Sequence, residues 1–345
     1  MRPRTLRSLL ATITAGLAAA TTLTAAGPAD ARADNACSPS VSIDGYSDAL
    51  DKTTYEGTFV GNISALATAR DGSVLALSDR SSLFTLDRRT LRPKAVVPLT
   101  TETGAALDSE GLAVDIPHSR LRSSGGTPIG TRLVTSETEP SIRRYDRAGT
   151  LLGSLPVPDE LKVAPAGRAT ANQTFEGLTL FPGGHTLLAS MEGALAGDPP
   201  GLVRLQTWDR HAHRDFKLST QYAYQADPNL GVVEVAALPA NHLLVLERGF
   251  TAGVGNTVRL YETTLRHSDP EHPLGKTLLT DLVTCPSLGA TAKQPQPNPL
   301  LDNIEGMTIT GREKGHLKVL LVSDDNQNAV QTTRFYSLRV RTAHR

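Results

Sequence analysis

The chain has 345 residues, with 35 Lys+Arg balanced by 35 Asp+Glu and aromatics at only 4%. A chain of this length buries a large core, as one big domain or two smaller ones. Its charge balance lacks the basic excess that neutralises phosphates in nucleic-acid binding. Its normal apolar share argues against global disorder. Frequent Gly (29) and Pro (22), with few long helix-periodic stretches, argue against a helical bundle.

Arg2, Arg4 and Arg7 form a positively charged start, and Leu9 to Leu23 is apolar and rich in Ala and Thr. Ala31-Arg32-Ala33 reads as a small-residue cleavage site. The expectation is a secretory signal peptide over 1–33 and a single mature domain over 34–345. The apolar run is too short and too Thr-rich to span a bilayer, which takes about 20 apolar residues. No other stretch of the sequence is a candidate span. The mature protein is therefore expected to be secreted, extracellular and free of the membrane. Cleavage removes four Arg and one Asp, leaving a mildly acidic chain. Cys37 and Cys285 are the two cysteines. In an exported protein such a pair is expected to form one disulfide.

The mature chain then repeats a β pattern. Ile63 to Thr68 and Ser73 to Asp79 flank Asp71-Gly72, a hairpin signal. Leu83–Leu86 and Ala95–Val97 supply a third and a fourth strand. The same order recurs from Glu110, Glu176, Glu234 and Ile304. Five units, with four short strands read in the first two and three in each of the others, predict an all-β fold, a β-propeller of five or six four-stranded blades. Val41 to Val60 has room to complete the last blade or to join a sixth. The stretches Arg120–Gly130, Pro156–Ala171 and Thr284–Leu300 read as loops.

The repeat also places acids. Glu110, Glu176, Glu234 and Glu305 begin first strands, while Asp79, Glu137, Glu192, Glu247 and Asp324 end second strands. In a propeller these positions share one mouth of the central channel, so a ring of carboxylates is predicted there. Glu234 is followed by Val rather than Gly, which makes its blade the weakest of the series. Crowded carboxylates raise one another's pKa unless a cation compensates. Oxygen-only clusters suit hard cations, above all Ca²⁺ outside the cell. Asn62, Asn172, Asn303 and Asn326 offer neutral oxygens nearby. Arg80, Arg143, Arg144 and Arg248 lie at or near the acidic ends and suit a phosphate or carboxylate group. A structural role for the Glu-Gly pairs, as turns capped by the carboxylate, stands beside the metal reading. His211 and His213 read more readily as a solvated surface pair than as metal ligands. No nucleophile elbow, P-loop or dinucleotide fingerprint is present.

Several segments, in this order, resemble one family. They are Ser109-Glu-Gly-Leu-Ala113, Ser136-Glu-Thr-Glu139 before Ile142-Arg-Arg-Tyr145, Asn172-Gln-Thr-Phe-Glu-Gly-Leu178, Leu246-Glu-Arg-Gly249, Asn303-Ile-Glu-Gly-Met307 and Val322-Ser-Asp-Asp-Asn326. Together, from about Gly57 to Leu338, they resemble the bacterial phytase-like domain, the "esterase-like activity of phytase" family. The resemblance implies a secreted propeller-like domain linked to phosphoester or ester hydrolysis. The leading expectation is metal-dependent hydrolysis of a phosphate ester by a monomer. Glu110, Glu176, Glu305 and Asp324 would hold Ca²⁺. Glu176, Glu305 and Arg248 would do the catalytic work, and Arg80, Arg143 and Arg248 would bind substrate. The alternatives are a non-catalytic ligand- or protein-binding propeller and a calcium-dependent carboxylester or lactone hydrolase.

Overall fold

The computed structural model describes residues 35–116, 130–211 and 215–342. The expected signal peptide, His213 and all but the last residue of the Arg120–Gly130 stretch lie outside the described residues.

Three strands precede the repeats: β1 (Val41–Ser47), β2 (Thr53–Tyr55) and β3 (Thr58–Val60). The first blade is β4 (Ile63–Thr68), β5 (Val74–Ser78), β6 (Ser82–Leu86) and β7 (Pro93–Pro98). The second is β8 (Ser109–Asp115), β9 (Thr131–Ser136), β10 (Ser141–Tyr145) and β11 (Leu151–Leu155). The third is β12 (Phe175–Leu180), β13 (Thr186–Ala194), β14 (Leu202–Asp209) and β15 (Lys217–Gln225). The fourth is β16 (Gly231–Ala237), β17 (His242–Thr251), β18 (Gly255–Thr264) and β19 (Lys276–Asp281). The fifth begins with β20 (Ile304–Glu313), β21 (His316–Ser323) and β22 (Phe335–Val340). Its outer strand is β1, which pairs antiparallel with β22 from Val41↔Val340 to Ser47↔Phe335.

The inner strands β4, β8, β12, β16 and β20 contact one another in turn, and β20 packs on β4. The ring closes with five blades, so the N-terminal segment completes the last blade and builds no sixth. The predicted β4–β5 turn owes its shape to two residues. Asp71 Oδ1 accepts from Ser73 N (3.0 Å) and Ser73 Oγ (2.5 Å), while Gly72 takes the left-handed φ of +83°.

The core lies between blades rather than in one central mass. One apolar cluster joins Phe175, Leu187, Val203 and Trp208 with Ile142 and Val232. Trp208 is fully buried, meets Phe175 edge-on at 6.1 Å and donates its indole N–H to Pro156 O at 2.7 Å. Burying such side chains contributes roughly 1.5–3 kcal/mol each for those of Leu or Phe size. The channel itself is apolar beneath its mouth: Leu66, Leu112, Leu178, Val235 and Met307 occupy successive inner strands and are buried.

Cys37 and Cys285 form the disulfide. Its placement differs from a bond between the two ends of the chain. Cys285 follows β19 of the fourth blade, whereas Cys37 leads into β1 of the fifth. The bridge therefore fastens the closing strand to the preceding blade. Ser38 Oγ donates to Leu279 O, and Thr284 Oγ1 donates to Cys37 O, both at 2.6 Å, along the same seam. Among the described residues no helix is long and apolar enough to cross a membrane.

Candidate functional site

Each inner strand carries an irregularity in its register at the same place. In β4 the pairing jumps from Ile63↔Ser78 to Ala65↔Leu77, which leaves Ser64 as the extra residue. In β20 it jumps from Ile304↔Ser323 to Gly306↔Val322, which leaves Glu305. The jumps in β8 and β12 span Glu110-Gly111 and Glu176-Gly177. A bulge re-aims the side chain it carries, and here it turns Glu110, Glu176 and Glu305 into one mouth. The glycine that follows is a packing requirement. A Cβ on Gly111 would lie 2.3 Å from Glu176 O, and one on Gly177 would lie 2.7 Å from Val235 N, on the neighbouring inner strands.

The fourth blade is shifted by one residue. There the pairing jumps from Val232↔Glu247 to Glu234↔Leu246, so Val233 holds the bulge and Glu234 holds the glycine position. Glu234 is buried, and its Oε1 accepts from Val235 N (2.9 Å) and Leu178 N (3.3 Å). It caps backbone of the inner strands, and burial pushes its carboxyl far above the usual range. On the second strands, Asp79, Glu137, Glu192 and Asp324 each donate a backbone N–H to the residue entering the first strand, at 2.7–2.9 Å. The matching residue of the fourth blade is Arg248, opposite Gly231. Glu247 sits one place earlier and points to the other face. It is fully buried against Tyr224 Oη (2.6 Å), Asp227 N (2.8 Å) and Lys276 Nζ (2.5 Å). The ring expected from the repeat thus lacks Glu234 and Glu247 and gains an arginine.

Asp108, two residues before Glu110, joins the group. Its signal in the sequence was only that spacing. Among the described residues, Asp79, Asp108, Glu110, Glu137, Glu176, Glu192, Glu305 and Asp324 share the mouth. Mutual repulsion links them, and one buried guanidinium, Arg248, faces them. Glu110 and Glu176 are raised well above the ordinary Glu value, first by burial and then by the carboxylates around them. Asp324 is raised by burial and by Glu305. Burial lifts Glu137 to about 7, with Glu192 and Asp108 adding to it. Burial also lifts Glu305 to about 7, against the pull of Arg248. Asp79 and Glu192 are raised by burial too.

The donor set fits a hard cation. Asp108, Glu110 and Glu137 each offer an oxygen within 4.8 Å of the others, and so do Glu137, Glu176 and Glu192. Glu137 Oε1 and Asn62 Oδ1 are buried without a hydrogen-bond partner, a costly state that an ion would relieve.

The sequence-derived ligand set divides. Glu110 and Glu176 fall into these two groups. Glu305 and Asp324 fall outside both. Glu305 Oε1 accepts from Arg248 Nη2 (3.0 Å) and Asn303 Nδ2 (2.9 Å), while Asp324 Oδ1 accepts from Asn326 N (2.7 Å). The arginines separate as well. Arg248 lies in the mouth. Arg80 stands at its rim, two-thirds exposed, with Nε 3.4 Å from Asp79 Oδ1. Arg143 is on β10, buried, and pairs with Glu102 and Glu139 at 3.3 Å each. Arg144, with Arg210, binds Asp115 at the far end of β8. Asn62 and Asn303 are buried in the mouth, whereas Asn172 and Asn326 are exposed. Asp325 is buried and structural: it accepts from Asn62 N (2.9 Å) and pairs with Lys52. Beyond Arg248, the β17–β18 hairpin projects with Phe250 and Val254 more than half exposed. Phe250 lies two residues from Arg248, on the same face of the strand.

A family model described as "Phytase-like: Esterase-like activity of phytase" matches residues 58–327. No curated protein matches the chain. Among solved structures, the crystal structure of Myxococcus xanthus glutaminyl cyclase aligns over 87% of this chain and 96% of its own. The identity is 10% and the TM-score 0.43. The structure of U3-55K aligns over 78% of this chain with 13% identity and a TM-score of 0.36, and the chain spans 62% of its length. Neither likeness bears on the chemistry of the mouth.

Proposed function

The chain belongs to the phytase-like family (esterase-like activity of phytase), and from that premise we propose that it is an exported, cation-dependent hydrolase. It acts on a phosphate ester of a small molecule at the acidic mouth. The observation that carries this reading is the imbalance of charge. Eight carboxylates converge on a partly buried cup with one internal arginine, and Glu137 Oε1 has no partner there. A bound cation would relieve the repulsion among these carboxylates at neutral pH. Glu110 and Glu176 would hold the ion, and Glu305 and Asp324 would add negative charge beside it. Calcium suits the all-oxygen donors. When bound, it offsets charge that develops on a phosphoryl group.

The chain's own groups do the rest. Arg248 offers its guanidinium to an anionic oxygen of the substrate, and Arg80 at the rim draws the substrate inward. Glu305, fixed by Arg248 and Asn303, orients water and takes up a proton. Below the mouth the channel is lined mainly by apolar side chains, which favours entry of substrate and release of product by the mouth. The Cys37–Cys285 bridge supports an oxidising compartment. It agrees with removal of 1–33 as a signal peptide and release of 34–345 as a single, monomeric, secreted domain free of the membrane.

The test is orthophosphate release by the purified mature protein, with calcium and with excess chelator. Glu176→Gln and Glu305→Gln should each lose turnover. If both variants kept wild-type turnover and metal affinity, the assignment would be wrong. A carboxylester or lactone substrate is the second reading. It is favoured by the esterase-like description of the family and by exposed Phe250 beside Arg248. Hydrolysis of p-nitrophenyl acetate or a lactone panel without phosphate release would select it. Saturable binding without turnover would make the protein a binding propeller instead.

A further inference from the structure

We propose that the mouth binds two divalent cations rather than one, and that Glu137 is the ligand they share. The inference rests on reading the mouth as a cation site, but not on the hydrolysis of any ester.

Three observations lead to it. The first is geometric. The carboxylates form two groups of three, Asp108–Glu110–Glu137 and Glu137–Glu176–Glu192, and Glu137 belongs to both. The first group otherwise comes from the second blade and the second group from the third. Glu137 therefore sits on the seam between blades. Its backbone is held from both sides, with its N–H on Asp108 O at 2.9 Å and its carbonyl accepting from Thr174 Oγ1 at 2.7 Å. Thr135 Oγ1 adds a stitch from the second blade to Glu176 O at 3.1 Å. A carboxylate has two oxygens, so one held at this seam can serve a cation on each side.

The second observation is that Glu137 Oε1 is buried and has no hydrogen-bond partner, although the residue is only 5% exposed. Buried carboxylate oxygens are normally satisfied. The surrounding groups are acceptors when ionised, so a cation is the partner that fits.

The third is charge. Fully ionised, as cation ligands must be, the five carboxylates of the two groups carry five negative charges in one cup. One divalent cation leaves three uncompensated among buried side chains. Two leave one, which half-buried Asp108 and Glu192 at the rim share with solvent. Arg248 is hydrogen-bonded to Glu305, which lies outside the two groups, and it also attracts Glu192. Oxygen-only donors, several of them carboxylates, define the ligand class as hard divalent ions such as Ca²⁺.

Calcium titration of the chelator-treated mature protein by isothermal calorimetry, with no substrate present, tests the proposal. Equilibrium dialysis checks the stoichiometry. The wild type should bind two Ca²⁺ per chain. Glu192→Gln and Asp108→Asn should each bind one. Glu137→Gln should lose at least tenfold in affinity at both sites. Circular dichroism and thermal melting establish that each variant is folded. If Glu137→Gln fails to fold, the two single-site variants still decide, because each must lower the stoichiometry from two to one. A wild type that saturates at one Ca²⁺, or either single-site variant that retains two, overturns the proposal. So does a folded Glu137→Gln with unchanged affinity at both sites. A protein that binds two Ca²⁺ yet releases no phosphate would sink the phosphatase reading and leave this one standing.

Discussion

The third and fourth blades share one plan and differ in what it presents. Both have four antiparallel strands, a bulge early in the inner strand and glutamates near the same sequence positions. In the third blade Glu176 sits on the bulge and Glu192 lies near the end of the second strand, and both reach the mouth. In the fourth blade the series is shifted by one residue. Val233 takes the bulge, Glu234 turns inward to cap backbone N–H groups, and Glu247 is buried in the blade. Arg248 takes the place of the acid. Side chains alternate with period two along a strand, so a shift of one residue exchanges faces. The same residue type therefore faces the acidic mouth in one blade and caps backbone in the next.

The most severe test of this contrast pairs Glu176→Gln with Glu234→Gln. Glu176→Gln should lower kcat/KM at least 100-fold, because removing a ligand from a buried charged site is costly. Glu234→Gln should change it less than threefold. Glu234 Oε1 accepts from two backbone N–H groups, and an amide oxygen of the same shape can accept both. Equal losses in the two variants would erase the distinction between blades.

The arginines offer a second comparison. Arg248→Ala should cost about 10- to 100-fold in kcat/KM, in line with a hydrogen bond to a charged group. Arg143→Ala should cost less than threefold, because its partners Glu102 and Glu139 stand apart from the mouth. Steady-state kinetics on a phosphate ester reads both.

Gly177→Ala sharpens the packing argument. Its Cβ would lie 2.7 Å from Val235 N and 2.9 Å from Glu234 Oε1. The expected loss is about 1–3 kcal/mol in denaturant unfolding. The exposed Gly57 and Gly315 have open space around a Cβ, but both hold positive φ, so they serve only as controls for backbone strain.

Stability should also slope with pH. Glu137 and Glu305 titrate near 7 in the folded chain, against 4.5 for free Glu. Between these values the folded state binds more protons than the unfolded one, so stability falls as pH rises. Below about pH 4.5 the penalty is absent, and above about pH 7 it is complete. The cation-free protein should melt several degrees lower at pH 8 than at pH 5.5, and saturating calcium should flatten that slope. A melting temperature that rises over this interval without calcium would contradict the charge argument.

Much of the architecture was legible because the inner strands carry strong local signals. Asp71-Gly72 marks its hairpin, and the Glu-Gly pairs mark three of the five inner strands. The missing strands are the outer ones. β15 (Lys-Leu-Ser-Thr-Gln-Tyr-Ala-Tyr-Gln) and β19 are largely exposed along much of their length. Their pairing comes from the neighbouring strand rather than from an apolar pattern of their own. In the site, the acids of the second and third blades were legible from the repeat. The one-residue shift in the fourth was not, since Glu234 and Glu247 fit the text of the repeat as well as Glu176 and Glu192 do. Only the ladder fixes which neighbour of the bulge faces the channel. Asp108 and the shared position of Glu137 depend on two blades meeting, which local spacing does not encode.

The central claim is that the acidic mouth is a cation-dependent hydrolytic site. It is tested most directly by measuring orthophosphate release from p-nitrophenyl phosphate and phytate by the mature protein, with calcium and with excess chelator. Release from at least one substrate is expected, abolished by chelator and restored by calcium, with Glu176→Gln inactive in both conditions. Release that ignores chelator, or that survives in Glu176→Gln, would contradict it.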